Sequence, residues 1–494
     1  MRNRWQYFRP VFEYLRLLIS VFGLLLLVPL AVRAVLADGG RQEVSVWVFV
    51  IPAVCSLLCG IGLKRNLKLP ALDNRRAMIL CALGWIAISA IGAVPLWAAL
   101  PIDYLDAYFE SVSGFTTTGI TMLKGLDAMP LSILFWRSFI QWLGGLGILT
   151  FFLTILYTGG SAHHLFGAES HKILSRRPTP SLLRSLRILW SIYVLFTAGV
   201  MLALVLEGLS VFDAVAHAMT ALATGGYSPY DASVEHFALA AHPHAVLIEY
   251  TLIVGMLLGG INFFVHHRLL HGSLRALWDS LEIRLWWAIV FGATGLVVLD
   301  HFRKFGFGEV HETFRASLFQ VVAMVTTTGF GTKDIAADYF PALSKQIFLV
   351  LMVIGGCVGS TSGGIKVFRI GVLGKMVGRQ VRRLIYGPSM LNPVVVDGET
   401  VGVEELRRIA SLFFAWVALL ALGGGVTAIL SDYDALQSAS GMFSALGNIG
   451  PCYIPTPQMA TLHPVIKIVY ILGMLAGRLE ILPVLLLLHR RTWR

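Results

Sequence analysis

Reading the chain as apolar and polar positions separates two classes of hydrophobic run. Ten runs approach or exceed the roughly 20 residues that a bilayer crossing needs. They cover residues 11–36, 43–63, 77–100, 131–157, 185–209, 244–265, 283–300, 345–385, 406–431 and 463–488. Four shorter apolar segments, 106–118, 213–225, 314–328 and 434–449, lie between the later pairs and cannot cross. Each short segment ends in a glycine string. The pattern predicts an all-α polytopic membrane protein. Its unit is a long helix, a short re-entrant helix, a glycine string and a second long helix, repeated four times around one pore. Two further N-terminal transmembrane helices stand outside the repeat. The first run carries Arg33 and has no clear small-residue cleavage site, so it reads as a retained helix and not a signal peptide. The implied units are 1–70 for the two leading helices, then 71–160, 161–272, 273–390 with a broken inner helix, and 391–494.

The strings carry the candidate chemistry. Thr116-Thr117-Thr118-Gly119 and Thr326-Thr327-Thr328-Gly329 are near copies, with looser echoes in Ala223-Thr224-Gly225-Gly226 and Gly447-Asn448-Ile449-Gly450. Non-helical backbone at membrane depth is tolerated only where protein buries it or where it lines an aqueous cavity. Four strings in equivalent contexts therefore imply a shared path. Glycine admits backbone angles that expose carbonyls, and rings of carbonyl oxygens can replace a cation's hydration shell. The coordinating carbonyls on this reading are those of Thr117, Thr118, Thr224, Gly225, Thr327, Thr328, Asn448 and Ile449. Because Asn448-Ile449 replaces Thr-Thr, the ring is only approximately fourfold. Asp106, Asp213 and Asp434 are the expected N-caps of three short helices, with Glu312 or Thr313 in the remaining one.

Composition agrees with the pattern. The chain of 494 residues is 56% hydrophobic and 14% charged, against about one-quarter charged in soluble domains. Mean hydropathy is +0.74. The net charge of +11 does not point to nucleic acid, because the basic residues sit between apolar spans and form no dense block with aromatics. Most of the 39 lysines and arginines fall in 1–16, 64–76, 158–187, 266–284, 366–408 and 489–494, which places both termini in the cytoplasm. The opposite loops are richer in acid, either as solubilising charge or as a vestibule that concentrates cations. The five cysteines read as small buried residues. The histidines form no HExxH, and no nucleophile, base and metal ligands converge as an enzyme would require.

Two features stand out late in the chain. Gly355-Gly356-Cys357-Val358-Gly359-Ser360-Thr361-Ser362-Gly363-Gly364 interrupts the eighth long run and should break its helix. Lys366 is displaced from the spacing of a phosphate loop, which excludes that reading. The break is either a flexible plug below the strings or a packing kink. Arg478, deep in the last run, can pair with Glu480 or another acid, or can hydrogen-bond loop carbonyls. The cluster Gly144-Gly145-Leu146-Gly147 reads as close helix packing.

The four strings, the break at 355–364 and Arg478 together resemble the membrane subunits of the Trk/Ktr/HKT potassium-transporter superfamily. The two extra N-terminal helices are similar to the bacterial Trk type in particular. The resemblance covers nearly the whole chain. It implies potassium uptake across the bacterial inner membrane, a pore in each subunit of a homodimer, and a cytoplasmic ring of nucleotide-binding regulatory subunits. It implies that Gly119, Gly226, Gly329 and Gly450 are selectivity glycines, that 355–364 is an intramembrane gate, and that Arg478 lies close beneath the filter. Gly119, where sodium-permeable members carry serine, then points to potassium. A secondary transporter of another small solute, or a sodium- or proton-coupled cation symporter, is the alternative.

Overall fold

A computed structural model describes residues 2–36, 43–60, 72–147, 150, 182–387 and 393–493. The N-terminal helices Arg2–Leu25, Val28–Leu36 and Trp47–Cys59 pack on the first repeat. The leading helices of repeats one to four are Asn74–Ala99, Leu182–Leu206, Leu281–Phe305 and Val403–Leu430, all long and apolar enough to cross a membrane. The short helices are Tyr104–Phe115, Val211–Leu222, Val310–Val325 and Ala435–Gly447.

The trailing helices of repeats one, two and four differ from the expected uninterrupted spans, while that of repeat three is broken as expected. The four are Leu131–Gly145, Ala245–Gly260, Ala342–Val353 and Pro464–Arg478; the first, second and fourth stop at equivalent positions, and the third stops three residues earlier. After Gly260 the chain turns through 106° into Phe263–Leu270. After Val353 a non-helical loop runs to Lys366 before the helix Val367–Tyr386. After Arg478 the chain re-enters helix at Leu482–Leu488, with Ile481 left-handed at φ 68°. Glycine pairs at these ends are poor helix formers. Most of the basic segment 158–187 and part of 64–76 lie outside the described residues.

The repeats are passed around a ring. The short helix of repeat two packs on the trailing helix of repeat one, that of three on two, that of four on three, and that of one on four. Every short helix is thus held between its own repeat and the one before it. Their apolar faces meet in two main cores. One joins the N-terminal helices to repeats one and four; the other joins repeats two and three.

Helix starts correct part of the sequence reading. Asp434 is an N-cap and forms a capping box with Gln437. Asp106 is not a cap: the short helix begins after Asp103, and Asp106 instead receives Lys467 Nζ from repeat four at 2.5 Å. Asp213 likewise sits inside its first turn, where its N–H donates to the true cap, Ser210. The third short helix starts after Glu309, upstream of Glu312 and Thr313.

Candidate functional site

The four strings share one backbone conformation. The residue two before each aligned glycine is left-handed: Thr117 (φ 53°), Thr224 (51°), Thr327 (57°) and Asn448 (54°). The glycines follow at 86°, 74°, 80° and 106°. For β-branched threonine this conformation is a true outlier, costing about 1–3 kcal/mol per residue. The next residue's N–H returns to the short helix in every copy: Thr118 to Ser113 O (2.8 Å), Gly225 to Thr220 O (2.9 Å), Thr328 to Ala323 O (2.9 Å) and Ile449 to Ser444 O (3.1 Å). Helix ends therefore consume the amides. Among the described residues, the carbonyls of Thr117, Thr118, Thr224, Thr327, Thr328, Asn448 and Ile449 accept no backbone hydrogen bond. Gly225 O is the exception in the set, accepting Gln141 Nε2 at 2.6 Å.

The ring closes on itself. A Cβ added to Gly119 would strike Gly225 O, one on Gly226 would strike Thr328 O, and one on Gly329 would strike Ile449 O. A Cβ on Gly450 would come within 2.9 Å of Thr118 O. Each glycine lies against the carbonyl of the next repeat, and the fourth lies against the first.

Side chains pin the strings from behind. Thr116 and Thr118 share a hydroxyl bond of 2.7 Å, and Thr326 and Thr328 repeat it at 2.7 Å. In the fourth string Gly450 N donates to Ser444 Oγ at 3.0 Å, and Asn448 Nδ2 donates to Thr118 Oγ1 at 2.9 Å. Behind the first string, Arg137 and Glu110 form an ion pair of 2.9 Å with side chains 2% and 0% exposed. Arg137 also donates to Ser228 O, and Tyr227 Oη donates to Glu110 O, so the pair joins the outer legs of strings one and two.

Below the ring, three of the four left-handed residues are tied to the break or to Arg478. Gly363 N donates to Thr327 Oγ1 at 2.7 Å, and Thr224 Oγ1 bonds Thr361 Oγ1 at 3.2 Å. Arg478 Nη1 reaches Thr117 Oγ1 at 3.2 Å. The same Nη1 donates to Thr361 O at 2.6 Å, while Nη2 donates to Gly144 O and Gly145 O. Of the partners open to Arg478, the loop carbonyl is thus realised, and Glu480 forms its ion pair with Arg369.

Gly355, Gly356, Gly359, Ser360, Thr361, Ser362, Gly363 and Gly364 form one tight loop. Gly355 lies against Gly363 and Gly364, and Ile354 pairs with Ile365 across the base. Cys357 N and Thr361 N donate to Gly260 O and Gly259 O, the carbonyls left free where the second trailing helix ends. Val358 N donates to Glu282 Oε1 at 2.6 Å, Phe263 N donates to Gly359 O, and Ser360 Oγ donates to Cys357 O. Lys366 Nζ donates to Ser362 O. A cavity of about 600 Å³ opens below, with Asn262, Glu282, Ser360, Lys366, Arg478 and Glu480 in its wall.

Reading the sequence for strings missed the layer of helix ends beneath them. Its signal is present: Gln141-Trp-Leu-Gly144-Gly145, Met256-Leu-Leu-Gly259-Gly260, Met352-Val-Ile-Gly355-Gly356 and Met474-Leu-Ala-Gly477-Arg478 are one recurring motif. Gly144 and Gly145 do permit close packing, since a Cβ on Gly144 would collide with Phe115 O. They also present the carbonyls that hold Arg478.

The comparisons with known proteins agree over the full chain. The TrkH family, described as a cation transport protein, matches residues 63–491. The Trk system potassium uptake protein TrkH of Escherichia coli K12 is 31% identical, covering 99% of this chain and 100% of the relative. The Trk system potassium uptake protein TrkI of Halomonas elongata is 32% identical, covering 100% of this chain and 98% of the relative. The crystal structure of the potassium transporter TrkH from Vibrio parahaemolyticus superposes with a TM-score of 0.83 at 28% identity, covering 99% of this chain and 100% of that one. The strings, their common backbone and these full-length matches lead to one assignment: the chain belongs to the TrkH family of cation transport proteins.

Proposed function

We propose that the chain is the pore subunit of a bacterial Trk-type potassium uptake system, with the ring of strings as its selectivity filter. The observation that carries this reading is the closed handover of glycines and carbonyls, from Gly119 and Gly225 around to Gly450 and Thr118. Four carbonyl-bearing strands facing one another around an axis supply oxygens in place of a potassium ion's water. Each string follows the C-terminal end of a short helix, so four negative dipole ends, each about half a charge, favour a cation there. The relatives from Escherichia coli and Halomonas elongata bear the name of potassium uptake proteins, which supports the cargo.

The loop 355–364 acts as the gate and Arg478 as its lock. Arg478 bonds a loop carbonyl, a string threonine and the first trailing helix at once, and its charge raises the energy of a cation just below the filter. A cytoplasmic ring of nucleotide-binding subunits controls the loop, docking on the basic segments 158–187 and 366–408. Two copies of the chain form a homodimer in the bacterial inner membrane with both termini cytoplasmic. The functional units are 71–160, 161–272, 273–390 and 391–494, following the two helices of 1–70.

The test is Gly119→Ser. Its Cβ meets Gly225 O, and φ of 86° disfavours any side chain. Reversal potentials across proteoliposomes should show a lower potassium-to-sodium permeability ratio in folded, inserted protein. An unchanged ratio removes the ring from selectivity.

A further inference from the structure

Gln141 bridges the second string from the trailing helix of repeat one. Its side chain is fully buried. Nε2 donates to Gly225 O at 2.6 Å, and Oε1 accepts Tyr227 N at 3.0 Å. The amide thereby grips the chain on both sides of Gly226, with one donor and one acceptor.

Strings two and four both lack the hydroxyl clasp of the other two. String four is held instead by Ser444 and by the Asn448 amide, which leaves string two in need of a grip. Strings one and three are held by hydroxyl pairs, Thr116 with Thr118 and Thr326 with Thr328. The equivalent positions in string two are Ala223 and Gly225, which have no hydroxyl. Gly225-Gly226 is also the only glycine doublet at this place in the four strings, and glycine has the widest backbone freedom. The fit is reciprocal. A Cβ on Gly225 would lie 2.5 Å from the Gln141 amide carbon, so the glutamine requires the glycine. The positions equivalent to Gln141 in the other three repeats are Met256, Met352 and Met474, all buried, with no donor and only a weakly accepting sulfur.

We infer that Gln141 is a specificity-positioning residue, replacing in string two the threonine clasp of strings one and three. The inference rests on the reading of the ring as the selectivity filter. Gly225 O packs against Gly119, so a string released by loss of Gln141 also disturbs the first string.

The experiment measures potassium-to-sodium permeability ratios from reversal potentials of the full chain in proteoliposomes. It compares wild type, Q141M, the triple variant Q141M/A223T/G225T and, as reference, G119S. Q141M installs the residue of the other three repeats and should lower the ratio about fivefold while potassium flux persists. The triple variant rebuilds the pattern of strings one and three and should recover most of the ratio. If Q141M keeps the wild-type ratio while G119S loses it, the brace is refuted and the filter reading stands. If both variants keep it, the filter reading itself fails. A triple variant no more selective than Q141M refutes the replacement of one clasp by another. Should Q141M not yield folded protein, Q141L decides. Leucine is close to glutamine in size but offers neither a donor for Gly225 O nor an acceptor for Tyr227 N, so a wild-type ratio there overturns the inference.

Discussion

The ring of strings and the layer of helix ends directly below it are built on the same four repeats, yet they treat the symmetry in opposite ways. Above, three threonines and an asparagine take the same left-handed angle within a few degrees, and all four amides return to their helices. Below, the four ends have diverged into a glycine pair, a sharp bend, a thirteen-residue interruption and an arginine. An ion on the axis interacts with every strand at once, so uneven strands would give it uneven oxygens. On the proposed reading the lower layer closes the path, and a closing device has no such requirement: one loop and one cation to hold it are sufficient.

The largest expected effect comes from removing what makes the upper layer regular. Arg137→Ala leaves Glu110 buried and unpaired behind string one, a loss of about 3–5 kcal/mol. Thermal unfolding in detergent should shift sharply downward, and any protein recovered should discriminate poorly against sodium. Wild-type melting would mean that the outer legs are held by something else.

Changes in the lower layer should act on flux and spare selectivity. Shortening the loop between Gly359 and Gly363 removes the contacts to Thr327 and Gly259. Basal potassium flux into liposomes holding this subunit alone should rise on the order of 100-fold, the upper range of a 1–3 kcal/mol coupling. Flux at the wild-type level in well-folded protein would make the break a packing kink. Arg478→Ala leaves the loop in place but removes its lock, so about tenfold more flux is expected by the same argument. A simultaneous fall in the permeability ratio would show that the two layers are not separable, since Arg478 also touches Thr117. The smallest effect is Asp434→Ala. Losing the capping box should cost about 1 kcal/mol of stability. The melt should move slightly while flux and selectivity stay put; a changed ratio would tie cap geometry to the fourth string.

The repeat, the strings, the break and Arg478 were legible in the chain because each depends on local composition: apolar length, glycine runs, one charge in a long hydrophobic run. Asp106 misled because aspartate serves a helix start in two ways, as a cap and as a first-turn charge, and only the position of Asp103 decides between them. The partner of Asp106 lies 361 residues away, beyond any pattern of spacing. Gln141 escaped notice for a different reason. Its meaning is visible only against Met256, Met352 and Met474, and then only once Ala223 and Gly225 are seen to lack hydroxyls. The ties of Arg478 to Gly144 and Gly145 were hidden as well, since backbone carbonyls leave no trace in side-chain identity.

The circular packing of short helices on preceding trailing helices has a consequence for biosynthesis. Repeats two, three and four each find their supporting neighbour already made, because membrane helices emerge from the N-terminal end first. Repeat one does not. Its short helix waits for Pro464–Arg478, the last trailing helix, and the pair Lys467–Asp106 marks the seam. Until that helix inserts, the first short helix lacks the trailing helix it packs on, and Asp106 lacks Lys467. A ribosome that stalls before residue 464 therefore leaves the first short helix without the last support that the other three acquire as they are made.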